Sequence, residues 1–120
     1  MFTVDTNGNI TLIQGDSGQI VVNGLPTDKN YKVYMAIQNE KRKPIGNEIM
    51  VESENLETVT LPISASLTDL LAVPTSEDSA TYYYGIKICY DTDEDTLIIG
   101  GGDIGSLNEI TVYPKKVEGV

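Results

Sequence analysis

The densest group of metal-competent side chains in this chain is an acidic run, Asp91, Asp93, Glu94 and Asp95, interrupted only by Thr92. Carboxylates at alternate positions are how the first half of a helix–loop–helix calcium loop presents its oxygens. That loop also needs a glycine at its sixth position and a bidentate glutamate at its twelfth, where this chain has Thr96 and Gly102. The spacing excludes the motif. A solvated hairpin tip remains, with a looser calcium site completed by Asp103 as the other reading, and no metal ligand is assigned.

Just downstream, Gly100, Gly102 and Gly105 satisfy G-x-G-x-x-G after an apolar segment. A dinucleotide-binding unit would need a helix and a second strand, with an acidic residue about 20 positions on. Only residues 106–120 remain, so the run reads as a connection or bulge before a last strand. There is no histidine, which removes every imidazole base and ligand, and a lone Cys89 permits neither an internal disulfide nor a thiolate metal site. Acids beside Cys89 disfavour its thiolate. Glycoside hydrolysis would need two carboxylates converging in a cleft, and nothing in the spacing brings two together. No catalytic residue and no cofactor is assigned.

With 18 acidic against 8 basic residues the net charge is −10, and the only basic cluster is Lys41, Arg42 and Lys43. Phosphate contacts need clustered cations, so nucleic acid is excluded as a partner. The first residues, Met1 to Asp5, do not read as a signal peptide, and no stretch approaches the roughly 20 apolar residues of a membrane span. The Asn9-Ile10-Thr11 sequon is idle without secretion.

The elements that must position these groups are strands. Residues 2–6 and 9–13 flank Asn7-Gly8, a dipeptide suited to a tight hairpin because both residues tolerate positive φ. Residues 19–22 form the next strand. In residues 31–38, Tyr31, Val33, Met35 and Ile37 share one face, which marks a central strand. Strands follow over 48–52 and 56–61. Ser66 then reads as the N-cap of a short helical turn near 66–72, with Asp69 as its reciprocal partner and Pro74 as its stop. Tyr82, Tyr84, Ile86, Ile88 and Tyr90 share the core face of a long strand. Residues 96–99 and 108–113 complete the set. Tyr83 alone of the three consecutive tyrosines faces outward with Gly85, Lys87 and Cys89, so the three make no common platform for a sugar.

Seven to nine short strands with frequent turns, in 120 residues, predict one domain over 1–120: an all-β, immunoglobulin-like antiparallel sandwich. Asp78 to Tyr83 resembles the turn into strand F of that fold, with Tyr82 in the tyrosine-corner position. Two residues on, where antibody domains place a cysteine, stands Tyr84, so ring packing replaces the covalent staple.

If the two long alternating strands are antiparallel neighbours, the basic turn and the acidic turn lie at opposite poles. An eight-residue strand spans about 27 Å, severalfold a Debye length of about 8–10 Å. The clusters then cannot neutralise one another within one molecule. Between copies they can, which makes Lys41, Arg42, Lys43, Asp91, Asp93, Glu94 and Asp95 the candidate contacts for other protein subunits, including a head-to-tail homo-oligomer.

Gly15-Asp16-Ser17, the 31–37 strand, Tyr83-Tyr84-Gly85-Ile86-Lys87-Ile88 and the closing Ile110-Thr111-Val112-Tyr113-Pro114 resemble small immunoglobulin-like proteins of phages and prophages. The likeness is in particular to the N-terminal domain of baseplate upper proteins of tailed phages. It implies a non-enzymatic structural role in a tail or baseplate, with the protein in the virion or in the host cytoplasm during assembly. The competing reading is a bacterial surface or secreted module that binds carbohydrate or protein.

Overall fold

Among the described residues, period-two alternation becomes nine strands around a single helical turn. The structure is a computed structural model, and it describes residues 1–25, 27, 30–54, 57–90, 96–99 and 108–115. In chain order these are β1 (Thr3–Val4), β2 (Ile10–Ile13), β3 (Gly18–Val22), β4 (Asn30–Gln38), β5 (Ile49–Glu54), β6 (Val59–Ile63), α1 (Ala65–Thr68), β7 (Ala80–Tyr90), β8 (Thr96–Ile99) and β9 (Asn108–Tyr113).

Seven strands form one sheet in the order β1-β2-β9-β7-β4-β5, with β8 also on β7, and β3 pairs β6 in a second sheet. The long β7 organises the larger sheet. One of its edges pairs β4 from Tyr31 opposite Tyr90 to Gln38 opposite Tyr83. The other edge takes β9 along Ala80 to Tyr84 and β8 along Ile86 to Cys89. Among the described residues all pairings are antiparallel except one: β2 runs parallel to β9, Ile10 opposite Ile110 through Ile13 opposite Tyr113. The fold is an immunoglobulin-like β-sandwich.

The predicted inner face of β4 is the core face, with Tyr31, Val33, Met35 and Ile37 all buried. Facing them across the sandwich, β6 buries Val59, Leu61 and Ile63 while Thr60 and Pro62 point out. Each such aliphatic side chain contributes about 1.5–3 kcal/mol relative to exposure. This strand starts three residues later and ends two later than the 56–61 expected from sequence. The alternation of Val59, Leu61 and Ile63 sets its register, and Leu56 lies outside the described residues.

Two local expectations differ. The cap of α1 is Ser64, whose extended backbone (φ −78°, ψ 155°) lets Oγ accept the Leu67 N–H at 3.2 Å. Ser66 lies inside the turn, and Asp69 is its C-cap. What fixes the helix is Thr68, fully buried, whose hydroxyl donates to the Asp16 carbonyl at 2.6 Å. The first hairpin is also wider than a two-residue turn. The Gly8 N–H donates to the Asp5 carbonyl at 3.1 Å, and of Asn7 and Gly8 only Gly8 takes positive φ, +87°.

Candidate functional site

Lys41, Arg42 and Lys43 occupy the turn that leaves β4, and all three are exposed. The turn is built by Asn39. Its Oδ1 accepts the N–H of Lys41 at 2.9 Å and of Lys43 at 3.0 Å, while its carbonyl accepts the Arg42 N–H at 3.0 Å. Closing this five-residue loop puts Arg42 at φ +63°, left-handed backbone that a branched-at-nothing glycine would take without strain. The three cations are therefore presented on a turn whose backbone is tied to Asn39.

The acidic candidates Asp91, Asp93, Glu94 and Asp95 lie outside the described residues, as does the glycine run 100–105. The strand leading to the acids is described: Tyr90 pairs Tyr31, at the end of β4 opposite Gln38 and the basic turn. Tyr90 and the basic turn thus stand at opposite ends of the β4–β7 pair.

Elsewhere, two carboxylates beside the helix are tied to partners. A cleft of about 1230 Å³ beside α1 is bordered by Asp16, Asp69, Glu77 and Asp78. Asp69 Oδ1 holds Lys115 Nζ at 2.7 Å, and Asp16 Oδ2 accepts the Ile13 N–H at 2.9 Å. Partial burial pulls the Asp16 pKa up, but its hydrogen bonds to the Met1 amine and to Ile13, with the amine's charge, hold it below the ordinary value. A general acid of a glycosidase needs the reverse shift. Among the described residues no three of His, Cys, Asp or Glu gather as a metal site. No helix of the described residues is long and apolar enough to cross a membrane.

The tyrosines divide as their alternation demands. Tyr82 closes the corner: its hydroxyl donates to the Ala72 carbonyl, ten residues upstream, at 2.6 Å. Tyr84, 2% exposed, donates its hydroxyl to the Gly8 carbonyl and accepts Asn108 Nδ2 at 3.0 Å. Asn108 is only 8% exposed, and its Oδ1 has no partner among the described residues. The sequence held a signal for this cluster. Asn108 shares its strand face with Ile110 and Val112, so alternation puts an amide where the core should be. On the outer face, Tyr34 stands opposite Lys87, Ala36 opposite Gly85 and Gln38 opposite Tyr83, a shallow trough with Ala36 and Gly85 in its floor.

No family model matches the sequence, and no curated protein matches it significantly. Solved structures do share its fold. The periplasmic chaperone SfaE superposes with a TM-score of 0.63 at 12% identity, over 92% of this chain and 55% of the chaperone. The E. coli chaperone DraB gives 0.61 at 10% identity, over 98% of this chain and 58% of its own length. The SafB chaperone of Salmonella enterica, solved in complex with the SafA pilin, gives 0.60 at 14% identity, over 99% and 58%. The chain spans little more than half the length of these proteins.

These neighbours correct the expectation drawn from the sequence. They are periplasmic pilus chaperones and not phage baseplate proteins, so the resemblance to baseplate upper proteins is overturned. The tail and baseplate role falls with it, as does residence in a virion or the host cytoplasm. Short patterns such as Tyr83-Tyr84-Gly85 and Ile110-Thr111-Val112 report strands of a sandwich, which unrelated immunoglobulin-like proteins share.

Proposed function

We propose that the chain is a non-enzymatic, single-domain β-sandwich module of the bacterial surface or exterior that binds a partner protein. The observation that carries this reading is the likeness, over 92–99% of the chain, to periplasmic chaperones, one of them solved holding a pilin subunit. The chaperone likeness also speaks for a protein without catalysis, and the tied carboxylates Asp16 and Asp69 are consistent with it.

Within this reading Lys41, Arg42 and Lys43 are partner contacts at one pole, with Asp91, Asp93, Glu94 and Asp95 as their counterparts beyond Tyr90. A second copy meeting head to tail is one such partner. A photo-cross-linking amino acid at Arg42, combined with fractionation of the native host, tests both parts. The expected result is a discrete protein adduct in an extracytoplasmic fraction. A cytoplasmic protein without an adduct would overturn the reading. For the head-to-tail contact, light scattering at high protein concentration should show mass that falls with added salt.

A further inference from the structure

Sheet edges in natural proteins are guarded, because unpaired N–H and C=O groups recruit other strands. The edge β1 is only two residues long. The outer strand β5 carries the exposed Glu52, and Pro62 sits within β6. In contrast, among the described residues β3 pairs only β6, leaving an edge of five uncharged residues, Gly18–Val22, without proline. Its Val21 is 46% exposed.

Beside that edge runs a groove of about 590 Å³ between the two sheets, walled by residues 4–8 and 19–23 and reaching inward to Tyr84, Ile86 and Asn108. The chain's own Phe2 stands at the Gly18 end, its ring so close that a Cβ on Gly18 would overlap it. Along the rest of the groove the exposed Val4 and Val21 offer apolar walls, and the buried Asn108 Oδ1 is an acceptor without a donor among the described residues. A buried amide oxygen left unpaired is costly, and a ligand that brings an N–H or O–H removes that cost.

We infer that β3 is a docking edge for an extended segment of a partner protein, which adds as a strand beside Gly18–Val22 and directs a hydrogen-bond donor to Asn108 Oδ1. This rests on the partner-binding reading above and gives it a surface. Backbone pairing supplies affinity, and alternate side chains entering the groove supply selectivity. The occupant is apolar at inward positions, carries an amide, hydroxyl or ammonium donor at one of them, and is neutral or basic to suit a chain of net charge −10.

The probe is a synthetic peptide alternating valine with asparagine, flanked by lysines and long enough to run along β3. Amide shifts and hydrogen exchange in the intact chain should localise binding to residues 19–23 and to the Asn108 side chain. Val21→Lys and Asn108→Leu should each weaken binding about tenfold or more, and Val21→Lys should leave the unfolding midpoint unchanged. Shifts confined to another surface, no binding at millimolar peptide, or equal binding by Val21→Lys would overturn the assignment. So would a free chain already dimeric with its β3 amides protected, since a second copy would then own the edge. If the cross-linker at Arg42 still captures an extracytoplasmic partner, the module reading survives the loss of this one.

Discussion

Gly8 and Arg42 occupy the same position in two turns with the same hydrogen bonds. Asp5 and Asn39 each accept, through Oδ1, the N–H groups two and four residues on, and through the carbonyl the N–H three residues on. The third residue after each takes left-handed backbone, φ +87° at Gly8 and +63° at Arg42. One turn uses the residue suited to that conformation, and the other uses an arginine.

Arg42→Gly should therefore stabilise the fold by about 0.5–1 kcal/mol, the relief of left-handed strain less the entropy glycine adds to the unfolded chain. A urea midpoint that rises with unchanged slope is the expected result. If the same variant, with the cross-linker moved to Lys41, also loses the partner, the strain is retained for the charge.

The reciprocal change, Gly8→Ala, should cost more than about 2 kcal/mol, because strain adds to collision. A Cβ there would stand 2.4 Å from Asn108 Nδ2 and 3.2 Å from the Tyr84 hydroxyl. Chemical denaturation reads the loss, and a cost under 1 kcal/mol would show that the Asp5 turn can move away from the core.

Tyr84→Phe leaves the Gly8 carbonyl and Asn108 Nδ2 without their partner and should cost about 1–3 kcal/mol. Adding Asn108→Leu should cost less than the sum of the two single changes, since both remove one network. Simple additivity in that double-mutant cycle would mean that the two side chains do not couple.

Burial raises the Tyr84 phenol above its ordinary 10.0; the Asn108 hydrogen bond opposes the rise and the Asp5 charge adds to it. A group whose pKa is higher folded than unfolded contributes stability that is complete below the unfolded value and lost as pH climbs through the folded one. Stability should thus fall above about pH 10, and Tyr84→Phe should flatten that fall. Parallel alkaline profiles for the two proteins would assign the loss to other groups.

Removing the corner hydroxyl in Tyr82→Phe should cost about 1 kcal/mol, the worth of one hydrogen bond to Ala72. Hydrogen exchange should show the loosening in the segment between α1 and β7, with β4 unaffected.

Period-two alternation was a reliable guide where one strand face is wholly core, as at Tyr31 to Ile37 and at Tyr84, Ile86 and Ile88. The corner tyrosine was legible because its role depends on local spacing. The N-cap was not. Ser64 precedes the helix while Ser66 falls in its first turn, and the choice between them depends on Thr68 reaching Asp16, 52 residues away in sequence. The cluster of Gly8, Tyr84 and Asn108 is likewise assembled by chain crossings that no local pattern encodes, although an amide at an inward position of β9 marked one member. Lys41, Arg42 and Lys43 are exposed as their charge requires, while the family resemblance failed because strand patterns carry fold and little else.

The parallel pairing of β2 with β9 has a mechanical consequence. Tension applied through the chain segments flanking these strands pulls Ile10 and Tyr113 in opposite directions along one ladder, so its hydrogen bonds are loaded together in shear. An antiparallel terminal pair would instead open one bond at a time. Resistance to such pulling is set by the unfolding rate and not by equilibrium stability, and here it rests on four residue pairs that join the start of the sequence to its end.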